Sequence, residues 1–275
     1  MVTLSAFADE ISSDLHEQLD VLESTGVRHL EFRGVWHKNV MDLTDEELAR
    51  VRSVLCARGF NVSAIGSPIG KIRMTDDFGH HLNQLNRAMD VAQYFGTKYI
   101  RIFSFFIPRG HAAKDYRNEV LRRLQEFVHR AQTAGVVLLH ENEKGIYGDI
   151  PERCVDIFSS CPSPHLRAAF DPANFVQCGV RPYTEAFAAL EAQIEYVHIK
   201  DALLENKRVV PPGEGNGELR DVLSALFAKG YDGFLSIEPH LAQAKTFSGF
   251  SGPEMFRVAA DALKDMLAEL HQIWR

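Results

Sequence analysis

The feature that most limits what this chain can become is an alternation, repeated eight times, of a short strand-like apolar run with a longer stretch of helical periodicity. The runs begin at Thr3 (TLSAFA), His29 (HLEFR), Asn61 (NVSAIG), Lys98 (KYIRIFSF), Val136 (VVLLHEN), Leu166 (LRAAFD), Glu195 (EYVHIK) and Gly233 (GFLSIEP). Between them, segments such as Asp45–Gly59 and Tyr116–Gly135 place apolar residues three and four apart and stop at glycine, as helices do. Crossovers of that length are not hairpins, so the strands run parallel, and eight units favour closure over an open sheet. A doubly wound fold is the alternative, but SAFADEIS stands where its GxGxxG would follow the first strand. The expectation is an α/β protein, a (β/α)8 TIM barrel forming a single domain over residues 1–275.

Composition removes several functions. With 275 residues, 45% of them hydrophobic, the chain can bury a core of barrel size. The formal charge of −7 is spread along the sequence, and no basic stripe suits a phosphate backbone, which argues against nucleic acid as a partner. Cys56, Cys154, Cys161 and Cys178 lack CxxC spacing, no basic segment precedes an apolar signal core, and no apolar run approaches the roughly eighteen residues of a membrane span. A reduced, cytoplasmic protein without a membrane partner is the reading.

In such barrels the C-terminal ends of the strands carry the chemistry. Four consecutive strands end in ligand-type residues: the fifth in Glu141, the sixth in Asp171 of FDPANF, the seventh in His198 of YVHIKD, the eighth in Glu238 of SIEPH. Any one of them could cap a helix or form an ion pair, and Asp171 before Pro172 would by itself read as a turn. Together they make a mixed oxygen and nitrogen set that suits one divalent ion, Mn²⁺, Mg²⁺, Co²⁺ or Zn²⁺.

The succession Glu141-Asn142, Asp171-Pro172-Ala173-Asn174, His198-Ile199-Lys200-Asp201 and Ser236-Ile237-Glu238 resembles the xylose isomerase-like TIM barrels, in particular the sugar phosphate isomerase/epimerase superfamily, over nearly the whole chain. The resemblance implies that Glu141, Asp171, His198 and Glu238 bind the metal and that Glu141 and Glu238 are catalytic, as in the ketose 3-epimerases, where the two glutamates shuttle the proton. A cation chelating a carbonyl and its neighbouring hydroxyl acidifies the adjacent C–H and stabilises the enediolate, and carboxylates on opposite faces can then invert the centre. The expected function is a divalent-metal-dependent isomerase or epimerase of a small carbohydrate, sugar phosphate or cyclitol. A dehydratase of the inosose or 3-dehydroshikimate type on the same site is the alternative, and it would need an acid near the leaving oxygen. Family habit adds a homodimer.

Other polar residues near the strand ends are candidates for contact with substrate. Arg33 and Arg101 interrupt strands and must find partners inside the barrel or among the helices; Glu31 is the expected carboxylate for Arg101. Lys71 follows Gly70 in a loop with a phosphate-turn look but without Walker spacing. Glu214 lies in PPGEGNGEL, read as a mobile loop of the kind that covers substrate in the family, and His240 could enter the mouth two residues beyond Glu238. Asn142, Lys200, Asn174 and Asp201 are candidate supports for the ligands, with Lys200 also within reach of substrate. His140 should point away from Glu141 into the core, while His80 and His81, on a helix read as exposed, and His111 receive no role.

Overall fold

The computed structural model describes residues 1–241 and 251–275. Eight strands form a closed parallel barrel: β1 (Thr3–Ala6), β2 (His29–Phe32), β3 (Asn61–Ile65), β4 (Tyr99–Ile102), β5 (Val137–Glu141), β6 (Leu166–Phe170), β7 (Ile194–Ile199) and β8 (Phe234–Ile237). Each strand pairs with its sequence neighbours, and β8 returns to β1 in the register Ser236↔Ser5. Helices α1 (Leu15–Ser24), α2 (Asp45–Ala57), α3 (Phe78–Phe95), α4 (Ala113–Ala134), α5 (Pro151–Ser160) and α6 (Pro172–Gln177) follow strands in turn, as do helices over Leu219–Ala228 and Gly252–Glu269. Among the described residues, no helix is long and apolar enough to cross a membrane.

Local chemistry fixes these boundaries. Thr44 and Glu47 form a reciprocal capping box at the start of α2, and Asp77 accepts the N–H groups of Gly79 and His80 at the start of α3. Gly96 and Gly135 end α3 and α4 in the left-handed region that favours glycine. β4 stops short of the sequence expectation: after Ile102 the chain leaves the sheet, and the N–H groups of Phe103 and Phe105 bind the carbonyls of Ile69 and Gly70. The apolar run KYIRIFSF therefore ends by supporting a neighbouring loop.

Strand alternation sorts side chains between two environments. Residues such as Leu4, Leu30, Ile100, Leu138 and Val197 pack outward in the main core, whereas Ala64, Tyr99, Leu139, Ala169 and Tyr196 fill the barrel interior. Ser5 and Ser63 hydrogen bond at 2.6 Å, and Ser63 meets the Tyr196 hydroxyl at 2.9 Å, so these interior hydroxyls satisfy one another. Two residues further along the inward series come Arg101, Glu141, Asp171 and His198, which places the charged groups at one end of the barrel.

The loop 211–218 is pinned. Asp201, almost fully buried, accepts the N–H groups of Gly217 and Ala202 on Oδ1 and of Gly213 and Gly215 on Oδ2, at 2.7–3.0 Å. This corrects two expectations: the segment is anchored on a buried carboxylate, and Asp201 spends its oxygens on that loop. A Cβ at Gly215 or Gly217 would lie 2.3 or 2.7 Å from Asp201 Oδ1, so glycine is required there by close approach. Glu214 is exposed on this collar. Replacing Asp201 with Ala should destabilise the protein by about 2–4 kcal/mol, because four backbone donors, those of Ala202 and Gly217 buried, lose a charged acceptor. Glu214→Ala should stay within about 0.5 kcal/mol of the parent. Urea unfolding of the two variants checks both expectations.

Candidate metal centre and active site

The four ligand-type residues are brought together by four neighbouring strands. Glu141 is the last residue of β5, Asp171 caps α6 directly after β6, His198 lies in β7, and Glu238 follows β8. One ligand atom from each falls within 4.8 Å of all the others. His198 Nδ1 is 3.5 Å from Glu141 Oε1, 3.7 Å from Asp171 Oδ2 and 3.9 Å from Glu238 Oε2. Metal bonds of about 2.0–2.2 Å in a tetrahedral or octahedral shell set ligand atoms roughly 3–4 Å apart, so the spacing fits one ion.

Among the described residues, neither nitrogen of His198, nor Glu141 Oε2, nor Asp171 Oδ2 makes an aligned hydrogen bond, although all are buried. Buried polar groups are ordinarily satisfied, and converging lone pairs whose nearest donors, Lys200 at Asp171 Oδ2 and Arg101 at Glu141 Oε2, are poorly aligned suit a cation. Asp171 divides its labour: Oδ1 accepts the Asn174 N–H at 2.8 Å, and Oδ2 faces the cluster. The turn reading and the ligand reading of this residue thus use different oxygens.

Asn142 and Asn174 lock the acidic strand ends together. Asn142 donates to the Asp171 carbonyl and accepts the Asp171 N–H, at 2.8 and 2.9 Å. Asn174 donates to Glu141 Oε1 and to the Asn142 carbonyl, both at 2.9 Å. Lys200 reaches the same carboxylates directly, 2.7 Å from Asp171 Oδ2 and 2.9 Å from Glu238 Oε2. Burial works against its charge, but Asp171 and Glu238 hold its pKa well above the ordinary lysine value.

Two arginines hold the glutamates. Arg33 binds Asp9 at 2.7 Å, Glu10 at 2.7 Å and Glu238 Oε1 at 2.8 Å, with its guanidinium 4.6 Å from the centre of the Phe7 ring. Arg101 lies inside the barrel between the rings of Phe7 and Phe103 and meets Glu141 Oε2 at 3.2 Å. Glu31 is therefore not its partner. Burial pushes the pKa of Glu141 up, but His198 and Arg101 outweigh it and leave the carboxyl well below the usual range; for Glu238, Lys200, His240 and Arg33 do the same. Burial lowers the pKa of His240 to about 4, and this ring sits 3.8 Å from Glu238 Oε1.

Glu31 instead faces His198. Its Oε2 is 3.2 Å from Nε2, on the side of the ring opposite the other three carboxylates. Burial lowers the pKa of His198, yet Glu31 and Glu141 raise it well above the ordinary value. A proton kept on Nε2, on the Glu31 side, would leave Nδ1 on the cluster side to ligate an ion, the arrangement that fixes a ligating imidazole. Inward alternation in HLEFR gave the signal for Glu31; its partner across the barrel is a matter of closure, which local sequence does not encode.

The centre opens into a cavity of about 170 Å³. Its lining includes Arg33, Lys71, Arg101, Lys200 and His240, together with Glu141 and Glu238, whereas Glu214 is not part of it. Glu143, Lys144 and Gln177 also line it and carried no role in the sequence reading. His140 lies on the outer side of β5, buried against Phe158. His81 corrects the exposed-helix expectation: it is buried on the inner face of α3, four residues before the buried Leu85, and its Nε2 accepts the Gly70 N–H.

The comparisons agree with this architecture. Residues 19–266 match the family described as Xylose isomerase-like TIM barrel. The chain belongs to that family. Among solved structures, a D-tagatose 3-epimerase-like protein is 17% identical with a TM-score of 0.79, covering 98% of each chain. The probable 3-DHS dehydratase AsbF from Bacillus anthracis is 15% identical with a TM-score of 0.75, covering 96% of this chain and 99% of its own. The IOLI protein, solved with a zinc atom, is 18% identical with a TM-score of 0.73, covering 98% of both. At these identities the likeness is one of fold. No curated protein matches by sequence.

Changing Glu31 to Gln should lower Mn²⁺ affinity by about 10–100-fold while the barrel stays folded, because the amide no longer fixes the His198 ring as an anion does. Asp171→Ala combined with His198→Ala should weaken binding further. Calorimetric titration with Mn²⁺, alongside circular dichroism, provides the check; parental affinity in the double variant would remove the ligand assignment.

Proposed function

We propose that the protein is a divalent-metal-dependent isomerase or epimerase of a small hydroxyketone, a sugar or close relative, with Glu141 and Glu238 as the proton-transferring pair. The observation that carries this reading is their common environment: both carboxylates line one small cavity, both are ionised, and each is steadied by its own arginine. The ion, when bound by Glu141, Asp171, His198 and Glu238, would polarise the substrate carbonyl and acidify the neighbouring C–H. The remaining steps belong to the chain's own groups.

One glutamate removes the proton from the carbon beside the carbonyl, and the other returns a proton to the opposite face of the planar intermediate. β5 and β8 lie three strands apart around the barrel, so the two carboxylates approach the cavity from different sides. Arg101 and Arg33 restrict their rotation, which keeps each oxygen near its working position. Asn174 holds Glu141 Oε1 from below, and His240 and Lys200 close the side next to Glu238.

A dehydratase on the same site is the second reading, and Lys200 is the observation that favours it. Its ammonium lies in the cavity 2.9 Å from Glu238, a proton donor of the kind a departing hydroxyl needs. Both readings begin with loss of a C–H proton; only the dehydratase yields a product lighter by one water.

The test is a screen of ketoses, their phosphates and inososes with Mn²⁺-loaded protein in deuterated water, followed by mass and proton NMR. Metal-dependent C–H exchange with conserved mass supports the isomerase, and loss of water supports the lyase. Glu141→Gln and Glu238→Gln should each retain metal in part and reduce product formation by about 100-fold or more, while exchange can persist on the face served by the remaining glutamate. Near-parental turnover in either variant at full metal occupancy would exclude the two-base scheme.

A further inference from the structure

Away from the candidate ligands, the cavity is walled by two lysines from different loops, Lys71 after β3 and Lys144 after β5. Lys71 Nζ lies 4.1 Å from the centre of the Phe103 ring and 3.1 Å from Glu143 Oε2. Lys144 Nζ meets the neutral Gln177 Oε1 at 2.9 Å, and among the described residues it has no ion pair. At this end two ammonium groups thus stand against one carboxylate, which only Lys71 contacts. At the other end, Glu31, Glu141, Asp171 and Glu238 face Arg101 and Lys200, Arg33 is matched by Asp9 and Glu10, and a divalent ion would bring that end near balance, so the unmatched positive charge lies at Lys71 and Lys144. A neutral substrate would cover these cations without compensating them; an anionic one would neutralise them.

Lys71 is held by a built loop. Gly70 has φ 89°, and a Cβ there would come within 2.0 Å of the Phe103 carbonyl oxygen. Its N–H donates at 2.7 Å to Nε2 of the buried His81, whose Nδ1 is set by Gln84 at 2.8 Å. Its carbonyl accepts the Phe105 N–H at 2.9 Å. A backbone fixed on three sides presents the ammonium at a defined place, which lowers the ordering cost of binding. Size narrows the anion further: about 170 Å³ is well below the pockets that take drug-sized ligands and leaves little room for a phosphate ester beyond a sugar.

We propose that the substrate carries an oxyanion at the end remote from its carbonyl, a carboxylate in preference to a phosphate ester, and that Lys71, assisted by Lys144, selects it. This rests on the hydroxyketone reading above. Two matched sets of probes test it: xylulose, threo-4-pentulosonate and xylulose 5-phosphate; and fructose, fructuronate and fructose 6-phosphate. Members of each set share the hydroxyketone end and differ only at the far carbon.

Calorimetric titration of Mn²⁺-loaded protein should show the carboxylate of at least one set binding about tenfold or more tighter than its neutral counterpart. Lys71→Met should cut that preference to about threefold or less while leaving the neutral probe unchanged, Lys71→Arg should restore most of it, and Lys144→Met should reduce it by a smaller factor. Equal binding across both sets, or loss of neutral and anionic probes alike in Lys71→Met, would overturn the proposal; tighter binding of the phosphate esters would overturn the choice of carboxylate. The readout is binding, so it stands whether or not any probe exchanges its C–H. A neutral ketose that exchanges as fast as its uronate would defeat this inference and leave the isomerase reading intact.

Discussion

The rest of the site depends on one crowded imidazole. His198 is surrounded by four carboxylates, Glu31 on one side and Glu141, Asp171 and Glu238 on the other, in a part of the barrel closed to solvent. Four anions at that distance repel one another strongly where the dielectric is low. Nearly every other charged residue at this end of the barrel answers that repulsion: Arg33 and Lys200 at Glu238, Arg101 at Glu141, Lys200 again at Asp171. The cost of holding so many like charges together is the physical sign of a site built for something other than stability.

This explains why the glutamates can differ in what they do while resembling each other in type. Glu141 is fixed by an asparagine and an arginine that is itself stacked between two rings. Glu238 is fixed by an arginine tied to two further carboxylates and by a lysine, with a histidine alongside. Both are buried, but one is held by a single amide and a single guanidinium and the other by a wider network of charged neighbours. The asymmetry lies in the surroundings, and it is the surroundings that would assign direction to a proton transfer.

Much of this was legible in the sequence because two periods run through it. The repeat of strand and helix gives the barrel, and alternation within strands sends Tyr99 and Arg101, Leu139 and Glu141, Tyr196 and His198 inward in pairs. What alternation does not carry is distance around a closed ring, so Glu31 could be placed inside but not opposite its true partner. The burial of His81 was legible in principle, since it shares a helix face with Leu85, Ala88 and Ala92; its neighbour His80 masked the pattern. The anchoring of 211–218 was not legible at all, because a glycine-rich run looks the same whether it is free or wrapped around a buried carboxylate.

The glycine collar around Asp201 has an implication for how such a protein can change. Any side chain at 215 or 217 must expel a carboxylate that satisfies four backbone donors, and Asn216 is committed to the N–H of Leu204. Of the residues around that buried anion, Glu214 is the one whose side chain is free to vary. Directed evolution toward new substrates would therefore gain little from randomising this loop, long though it is. Productive variation would concentrate at Lys71 and Lys144, which face the cavity, the first on a backbone that holds its shape.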